Sequence, residues 1–198
     1  DSVIRMRNDG HGIFSRVADN INTGGHPVAI TVGNFDTGTS PDFATANANG
    51  LSFSVRLNDS AGNFSGSNTA IGTNNRPQTI SAGRFAPDYD ADLDLFLGFS
   101  SVDGTTNDGW ENWTNDGSAV FSRNTTTTFT TLDGPRDSVM ADFDADGRDD
   151  VAVAYAVSDQ VRVEMHGYVY YLGHWRLSGD SALADVGTTP TGIAAADF

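Results

Sequence analysis

The chain contains no cysteine. This absence excludes a disulfide scaffold, a cysteine zinc site and a thiol nucleophile. No apolar run approaches the roughly 18 residues that a transmembrane helix needs, so we expect no insertion into a membrane. The sequence also lacks the G-x-S-x-G, H-E-x-x-H and glycine-rich phosphate-binding motifs. We therefore predict that the protein is not an enzyme.

Positive charge is scarce: 11 Lys and Arg stand against 26 Asp and Glu, which gives a formal net charge of −15. Such a surface repels nucleic acid and anionic lipid and attracts divalent cations, so nucleic acid is excluded as a partner. Acidic, lysine-poor chains rich in Thr, Asn and Gly are common among exported bacterial proteins. We expect a secreted or cell-surface protein, and, because the chain begins at Asp1, a processed or excised piece.

The apolar segments are short, rich in Val, Phe and Thr, and separated by turns that draw on 22 glycines. None shows a helical period with caps, so the sequence predicts an all-β fold with almost no helix.

Two sequence markers repeat along the chain. The first is a short apolar run ending in Phe, with intervals of 50, 58 and 55 residues between the phenylalanines, in AITVGNF, TISAGRF, SVMADF and GIAAADF. The second is an Asn-Asp turn at Asn8, Asn58 and Asn115, with intervals of 50 and 57. Two markers with matching intervals indicate a structural repeat.

Each repeat contains four short apolar runs, with an Asp-rich loop between the first two and the Asn-Asp turn between the last two. Four strands in about 50 residues are typical of a β-propeller blade; a β-sandwich is the alternative. We predict one propeller segment over residues 1–198. Its blades are 1–25 (partial), 26–77, 78–136, 137–190 and 191–198 (the first strand of the next blade). Either further blades of the same chain complete the ring, or the two ends pair in a split blade.

The loop that begins at Asp142 has the spacing D-x-D-x-D-G-x-D-D. Side-chain oxygens stand at positions 1, 3, 5 and 9, which are Asp142, Asp144, Asp146 and Asp150. Glycine at position 6 allows a sharp turn, and the carbonyl of Arg148 at position 7 can point inward. Hard oxygen ligands at alternate positions predict Ca²⁺, because Mg²⁺ requires stricter geometry and Zn²⁺ prefers His or Cys.

An EF-hand begins with the same spacing but has a glutamate at position 12 and flanking helices. Position 12 here is Val153, within a β-patterned run, so the EF-hand interpretation fails. A solvated acidic turn without metal is the remaining alternative.

The segment ADFDADGRDDVAVA resembles the FG-GAP or VCBS repeat, the calcium-loop blade of bacterial exoproteins and of the integrin alpha-subunit propeller. The resemblance implies that the loop joins the first two strands of a blade and that Ca²⁺ stabilises this hairpin.

The two sibling loops are less complete. GNFDTGTSPDF carries Asn34, Asp36 and Asp42 at positions 1, 3 and 9 but glycine at position 5, which predicts a weaker calcium site. GRFAPDYDADL has Arg84 at position 1, so we expect no metal there; its guanidinium would bridge the three aspartates Asp88, Asp90 and Asp92.

Aromatic residues offer two further candidates for ligand contact. Alignment on the Asn-Asp turn predicts Trp110 in the core and Trp113 on the surface. The stretch GYVYYLGHW is either a sugar platform or ordinary hairpin packing. Taken together, the sequence favours a calcium-binding module that binds an extracellular protein or carbohydrate. The alternatives are the non-catalytic propeller of a secreted polysaccharide-degrading enzyme and a structural subunit of a surface assembly.

Overall fold

A computed structural model describes residues 1–71, 75–84, 90–102, 108–128, 133–164, 167–171, 174–178 and 181–196. For residues 18, 125–128, 167–171, 174–178, 181 and 182 it describes the backbone alone. All regular structure in these ranges is β-strand, which confirms the predicted all-β class. No helix long and apolar enough to cross a membrane occurs in the part of the chain that the structure describes.

The strands form antiparallel sheets in chain order. An N-terminal hairpin consists of β1 (Ser2–Asn8) and β2 (Phe14–Asn22). Sheet 1 consists of β3 (Pro27–Gly33), β4 (Asp42–Asn47), β5 (Ser52–Asn58), β6 (Phe64–Ser65) and β7 (Asn68–Ala70). Both β6 and β7 pair with β5. Sheet 2 consists of β8 (Asn75–Gly83), β9 (Asp94–Ser101), β10 (Gly109–Asn115) and β11 (Phe121–Thr128).

Sheet 3 repeats this order with an addition. Its strands are β12 (Pro135–Ala141), β13 (Asp150–Tyr155), β14 (Gln160–Glu164) and β17 (Ser181–Asp185). Between β14 and β17 the chain forms an extra hairpin of β15 (Gly167–Tyr171) and β16 (His174–Ser178). The Asn-Asp turn is missing from the sequence here, and the described residues of the stretch GYVYYLGHW, 167–171, 174 and 175, lie in the two strands of this hairpin.

A proline lies at or near the start of the first strand in each of sheets 1 to 3, and Pro27, Pro77 or Pro135 marks a register shift against the second strand. Proline has no amide N–H to donate, so it fits an interruption in a ladder. In sheet 2 the strand already begins at Asn75, inside the predicted preceding blade. The proline before each register shift is therefore a third marker of the sequence repeat, in addition to the Phe and Asn-Asp markers.

The Asn-Asp turns connect the last two strands of each unit in one shared conformation. In each turn the aspartate Oδ1 accepts the amides two and four residues later, as Asp59 does from Ala61 (2.9 Å) and Asn63 (3.0 Å). Positive φ occurs at the first and third residues after the aspartate, such as Ser60 (67°) and Gly62 (89°). The turn is repeated at Asp9 and Asp116.

Neighbouring sheets pack face to face, with β8 lying between β3 and β12. One core cluster joins sheets 1 and 2 and contains Phe35, Phe53, Leu95, Leu97 and Trp113. A second joins sheets 2 and 3 and contains Phe96, Trp110, Val151, Val153 and Tyr155. The first strands of sheets 2 and 3 also meet through hydroxyls, since Ser138 Oγ lies 2.7 Å from Thr79 Oγ1 and 2.9 Å from Ser81 Oγ.

Both tryptophans of β10 are buried. Trp110 is in the core as predicted, but the prediction that Trp113 is exposed is wrong. Trp113 packs edge-on against Phe53, with ring centroids 5.0 Å apart. The reason is that sheet 2 is covered on both faces. One face of β10 contacts sheet 1 and the other contacts sheet 3, so a tryptophan on either face is buried.

Candidate metal centre

The loop of residues 142–150, here called the triple-aspartate loop, joins β12 to β13. Ala141 pairs with Asp150 in the antiparallel ladder, so the loop closes a hairpin. Asp142, Asp144 and Asp146 are exposed, and each offers a carboxylate oxygen within 4.8 Å of the others. Three carboxylates at this separation repel one another unless a positive charge lies among them.

Backbone amides provide part of that positive field. The Asp146 amide donates to Asp142 Oδ1 (3.1 Å) and to Asp144 Oδ1 (3.0 Å). The Gly147 amide donates to Asp142 Oδ2 at 2.9 Å. Positive φ at Ala145 (62°) and Gly147 (89°) turns these amides inward, as in the anion-binding nests that successive N–H groups form.

Arg148 contributes the nearest side-chain cation. Its Nη1 lies 3.8 Å from Asp146 Oδ2, and its own amide donates to Asp146 Oδ1 at 2.9 Å. Both side chains are about one-third exposed, so solvent screens this ion pair and its contribution is small. The predicted coordination through the Arg148 carbonyl stays a prediction.

Asp150 differs from the three exposed aspartates because its side chain is fully buried. Its Oδ2 accepts the amide of Phe143 at 2.9 Å, which folds the start of the loop back onto β13. The cluster within 4.8 Å does not include it. Its proposed coordination of a metal therefore stays a prediction, while its hydrogen bond to the loop is observed.

Asp42 has the same position in sheet 1, as the first residue of β4. It is 1% exposed, its Oδ2 accepts the amide of Phe35 (2.9 Å), and its Oδ1 accepts the amide of Asn58 (2.8 Å). Both carboxylate oxygens are thus used to tie the loop and the third strand together. Buried carboxylates need such partners because desolvation of the charge is costly.

In sheet 2 the corresponding residue is Asp94, which is 1% exposed and accepts the Asn115 amide at 2.9 Å. The spacing of the sequence motif instead places Asp92 at position 9, and that alignment is wrong. The loop is longer: Asp94 lies 11 positions after its paired Gly83, whereas Asp42 lies 9 positions after its paired Gly33.

The remaining predicted ligands of the first loop hydrogen-bond within it. Asn34 Nδ2 donates to the Gly38 carbonyl at 2.7 Å, and Asp36 Oδ1 accepts the Gly38 amide at 2.6 Å. Asn34 is exposed and Asp36 is half-buried. The weaker calcium site predicted from Asn34, Asp36 and Asp42 stays a prediction.

Arg84 makes no ion pair with Asp90 or Asp92, the two described members of its predicted aspartate group. Asp88 lies outside the described residues. Instead, the Arg84 amide donates to Asp149 Oδ2 (2.7 Å), and the Asp149 amide donates to the Arg84 carbonyl (3.3 Å). The triple-aspartate loop is thereby bonded to sheet 2, a connection that the sequence motif does not signal.

No protein-family model matches the chain, and a search of curated proteins finds no match. The candidate site is therefore defined by its own chemistry. Three exposed carboxylates on a tight loop, with no nitrogen or sulfur ligand among them, could hold one hard divalent cation.

Proposed function

We propose that this chain is a calcium-stabilised β-propeller segment of the FG-GAP or VCBS type, which acts outside the cell as a binding or adhesion module. The observation that carries this proposal is the cluster of Asp142, Asp144 and Asp146, with carboxylate oxygens within 4.8 Å of one another on the loop between two strands. Calcium fits this group because it accepts six to eight oxygens, including water and carbonyl oxygens, in flexible geometry.

The repeated sheets support the propeller. Three sheets with the same strand order follow one another, and they pack face to face with their first strands adjacent. Blades of a propeller pack in this manner around a central axis. The ring would be completed by further blades or by pairing of the chain ends.

The proposed ligand is an extracellular protein or carbohydrate, bound by loops at one face of the ring. Two other roles use the same scaffold: a non-catalytic propeller attached to a secreted polysaccharide-degrading enzyme, and a structural subunit of a surface assembly. The domain adjoining this chain in the complete protein distinguishes them, because fold alone does not define function.

Calorimetric titration with Ca²⁺, Mg²⁺ and Zn²⁺ tests the metal. We expect saturable Ca²⁺ binding, a higher melting temperature in Ca²⁺ than in chelator, and no comparable effect of Zn²⁺. Asp144→Asn combined with Asp146→Asn should abolish the binding. Asp133→Asn, at an exposed carboxylate outside the loop, is the matched control and should leave it unchanged. Identical melting with and without chelator would contradict the proposal.

A further inference from the structure

A polar cleft of about 430 Å³ lies between the N-terminal hairpin and sheet 1. Its walls come from β1, the end of β2, β5 and the segment that follows the second Asn-Asp turn. The side chains that matter for its chemistry are Arg5, Asp19, Asn20, Arg56, Asn63 and Phe64. This cleft shares no residue with the triple-aspartate loop.

Arg56 is the buried cation of the cleft, with 8% of its surface exposed. Its guanidinium donates only to neutral oxygens: the carbonyls of Asn22 (2.9 Å), Val55 (2.8 Å) and Ser67 (2.7 Å), and Asn68 Oδ1 (2.9 Å). No carboxylate lies within 4.0 Å of it among the described residues. A buried charge without a counter-charge is costly, and burial accordingly lowers the pKa of Arg56.

Arg5 is the second cation. Its Nη1 donates to the Gly62 carbonyl at 2.6 Å, and its guanidinium carbon lies 5.3 Å from the centre of the Phe64 ring. Its Nε is buried and has no acceptor in the structure as described. The contact with the Phe64 ring uses the positive charge of Arg5 and none of its N–H donors.

The one acid in the cleft wall, Asp19, forms no ion pair with either arginine. The cleft therefore gathers two guanidinium groups against one carboxylate, in a chain whose net charge is −15. Asn20, Asn63 and Ser65 add amide and hydroxyl groups to the same wall. A local excess of positive charge in a chain of negative net charge favours an anionic ligand in this cleft.

We infer that this cleft binds an acidic sugar, with the sugar carboxylate facing the guanidinium of Arg5. Arg56 already donates to four protein oxygens, so it contributes its positive charge rather than a paired set of hydrogen bonds. The amide and hydroxyl side chains of the wall suit sugar hydroxyls. The volume of the cleft falls in the range of small-ligand sites. The inference deepens the proposed binding role and rests on it, but it is independent of calcium.

The test is a titration of the protein, in calcium, with cellobiouronic acid and with its neutral counterpart cellobiose. We expect saturable binding of the acid, little binding of the neutral sugar, and weakening as salt rises. Arg5→Gln should weaken binding about tenfold, which corresponds to the loss of one charged hydrogen-bonded pair. Arg7→Gln, which removes the same charge from an exposed position on β1 outside the cleft, should have no effect.

A second variant protects the test against a folding defect. Asp19→Asn removes negative charge from the cleft wall and should tighten binding of the acid. Equal binding of acid and neutral sugar, absence of saturable binding at millimolar concentration, or preference for N-acetyl-aspartate would overturn the inference. Because calcium stabilisation is measured separately in the same samples, failure of the sugar titration alone leaves the calcium proposal standing.

Discussion

The first loop (residues 34–42) and the triple-aspartate loop (142–150) are two versions of one structure. Each closes a hairpin between the first and second strands of a sheet. In each, a buried aspartate at the start of the second strand accepts the amide of a phenylalanine seven residues earlier. They differ at position 5, where the first loop has Gly38 and the other has Asp146.

The aspartates that hold the hairpin together are different residues from those that could bind a metal ion. The buried aspartates Asp42, Asp94 and Asp150 recur in all three sheets. Among the described residues, a cluster of three exposed carboxylates forms in sheet 3 alone. The buried aspartate is therefore common to the three hairpins, whereas the three exposed carboxylates that could hold a metal ion occur, among the described residues, in sheet 3 alone.

The loops also differ in what covers them. Phe35 is 1% exposed, packs against Phe121 of sheet 2 with centroids 5.9 Å apart, and its carbonyl accepts Asn115 Nδ2 at 2.9 Å. Phe143, at the same position in sheet 3, is 40% exposed. We expect calcium to give the triple-aspartate loop the order that contact with sheet 2 gives the first loop.

The largest effect is expected at the buried position. Asp42→Ala removes the acceptor of two amides, those of Phe35 and Asn58, and should lower the free energy of unfolding by about 3 kcal/mol. Chemical denaturation measures this loss, and most of it should persist in chelator, because the two amide hydrogen bonds do not depend on a metal. A loss that disappears in chelator would mean that Asp42 acts mainly through a bound metal.

The next largest effect is the loss of calcium stabilisation, which should differ between the triple-aspartate loop and the first loop. When free calcium exceeds its Kd a hundredfold, binding stabilises the fold by about 2.7 kcal/mol. Asp146→Ala should lose much of this, and Asp36→Ala should lose less, because its loop lacks a ligand at position 5. The difference should vanish in chelator. Equal destabilisation of the two variants in saturating calcium would remove the distinction between the loops.

A smaller effect concerns the backbone of the triple-aspartate loop. Gly147 has φ of +89°, and an added Cβ would meet no atom within 4 Å, so Gly147→Ala changes backbone strain alone. We expect a cost of about 1–2 kcal/mol. Gly187→Ala is the control, since its Cβ position is also open and its φ is ordinary. Similar melting temperatures for both variants would show that the loop does not keep this conformation.

The smallest effect concerns the bond between the loop and sheet 2. Asp149→Ala leaves the Arg84 amide without its carboxylate acceptor, which lies 2.7 Å away. Because Arg84 is exposed, water replaces part of the bond, and the expected loss is about 1 kcal/mol. Asp133→Ala, at another exposed aspartate, is the control for the change in charge. A loss no greater than that of the control would show that the contact does not hold the sheets together.

The all-β class, the strand order and the repeat could be predicted because they follow from local patterns: short apolar runs and Asn-Asp turns. The buried state of Trp113 could not, since it depends on which neighbour covers each face of sheet 2. The role of Asp94 was hidden by the longer second loop, because position counting assumes equal loop lengths. The bond from Asp149 to Arg84 joins residues 65 positions apart, and no local pattern encodes it.

Amide hydrogen exchange in low and in saturating calcium tests the central claim most directly, because it reports the opening of each loop separately. We predict that calcium slows exchange of the amides of residues 143–149 at concentrations that leave residues 35–42 unchanged. Exchange that responds equally in both loops, or in neither, would contradict the claim that the exposed aspartates of the third sheet form a metal site on a hairpin held by buried ones.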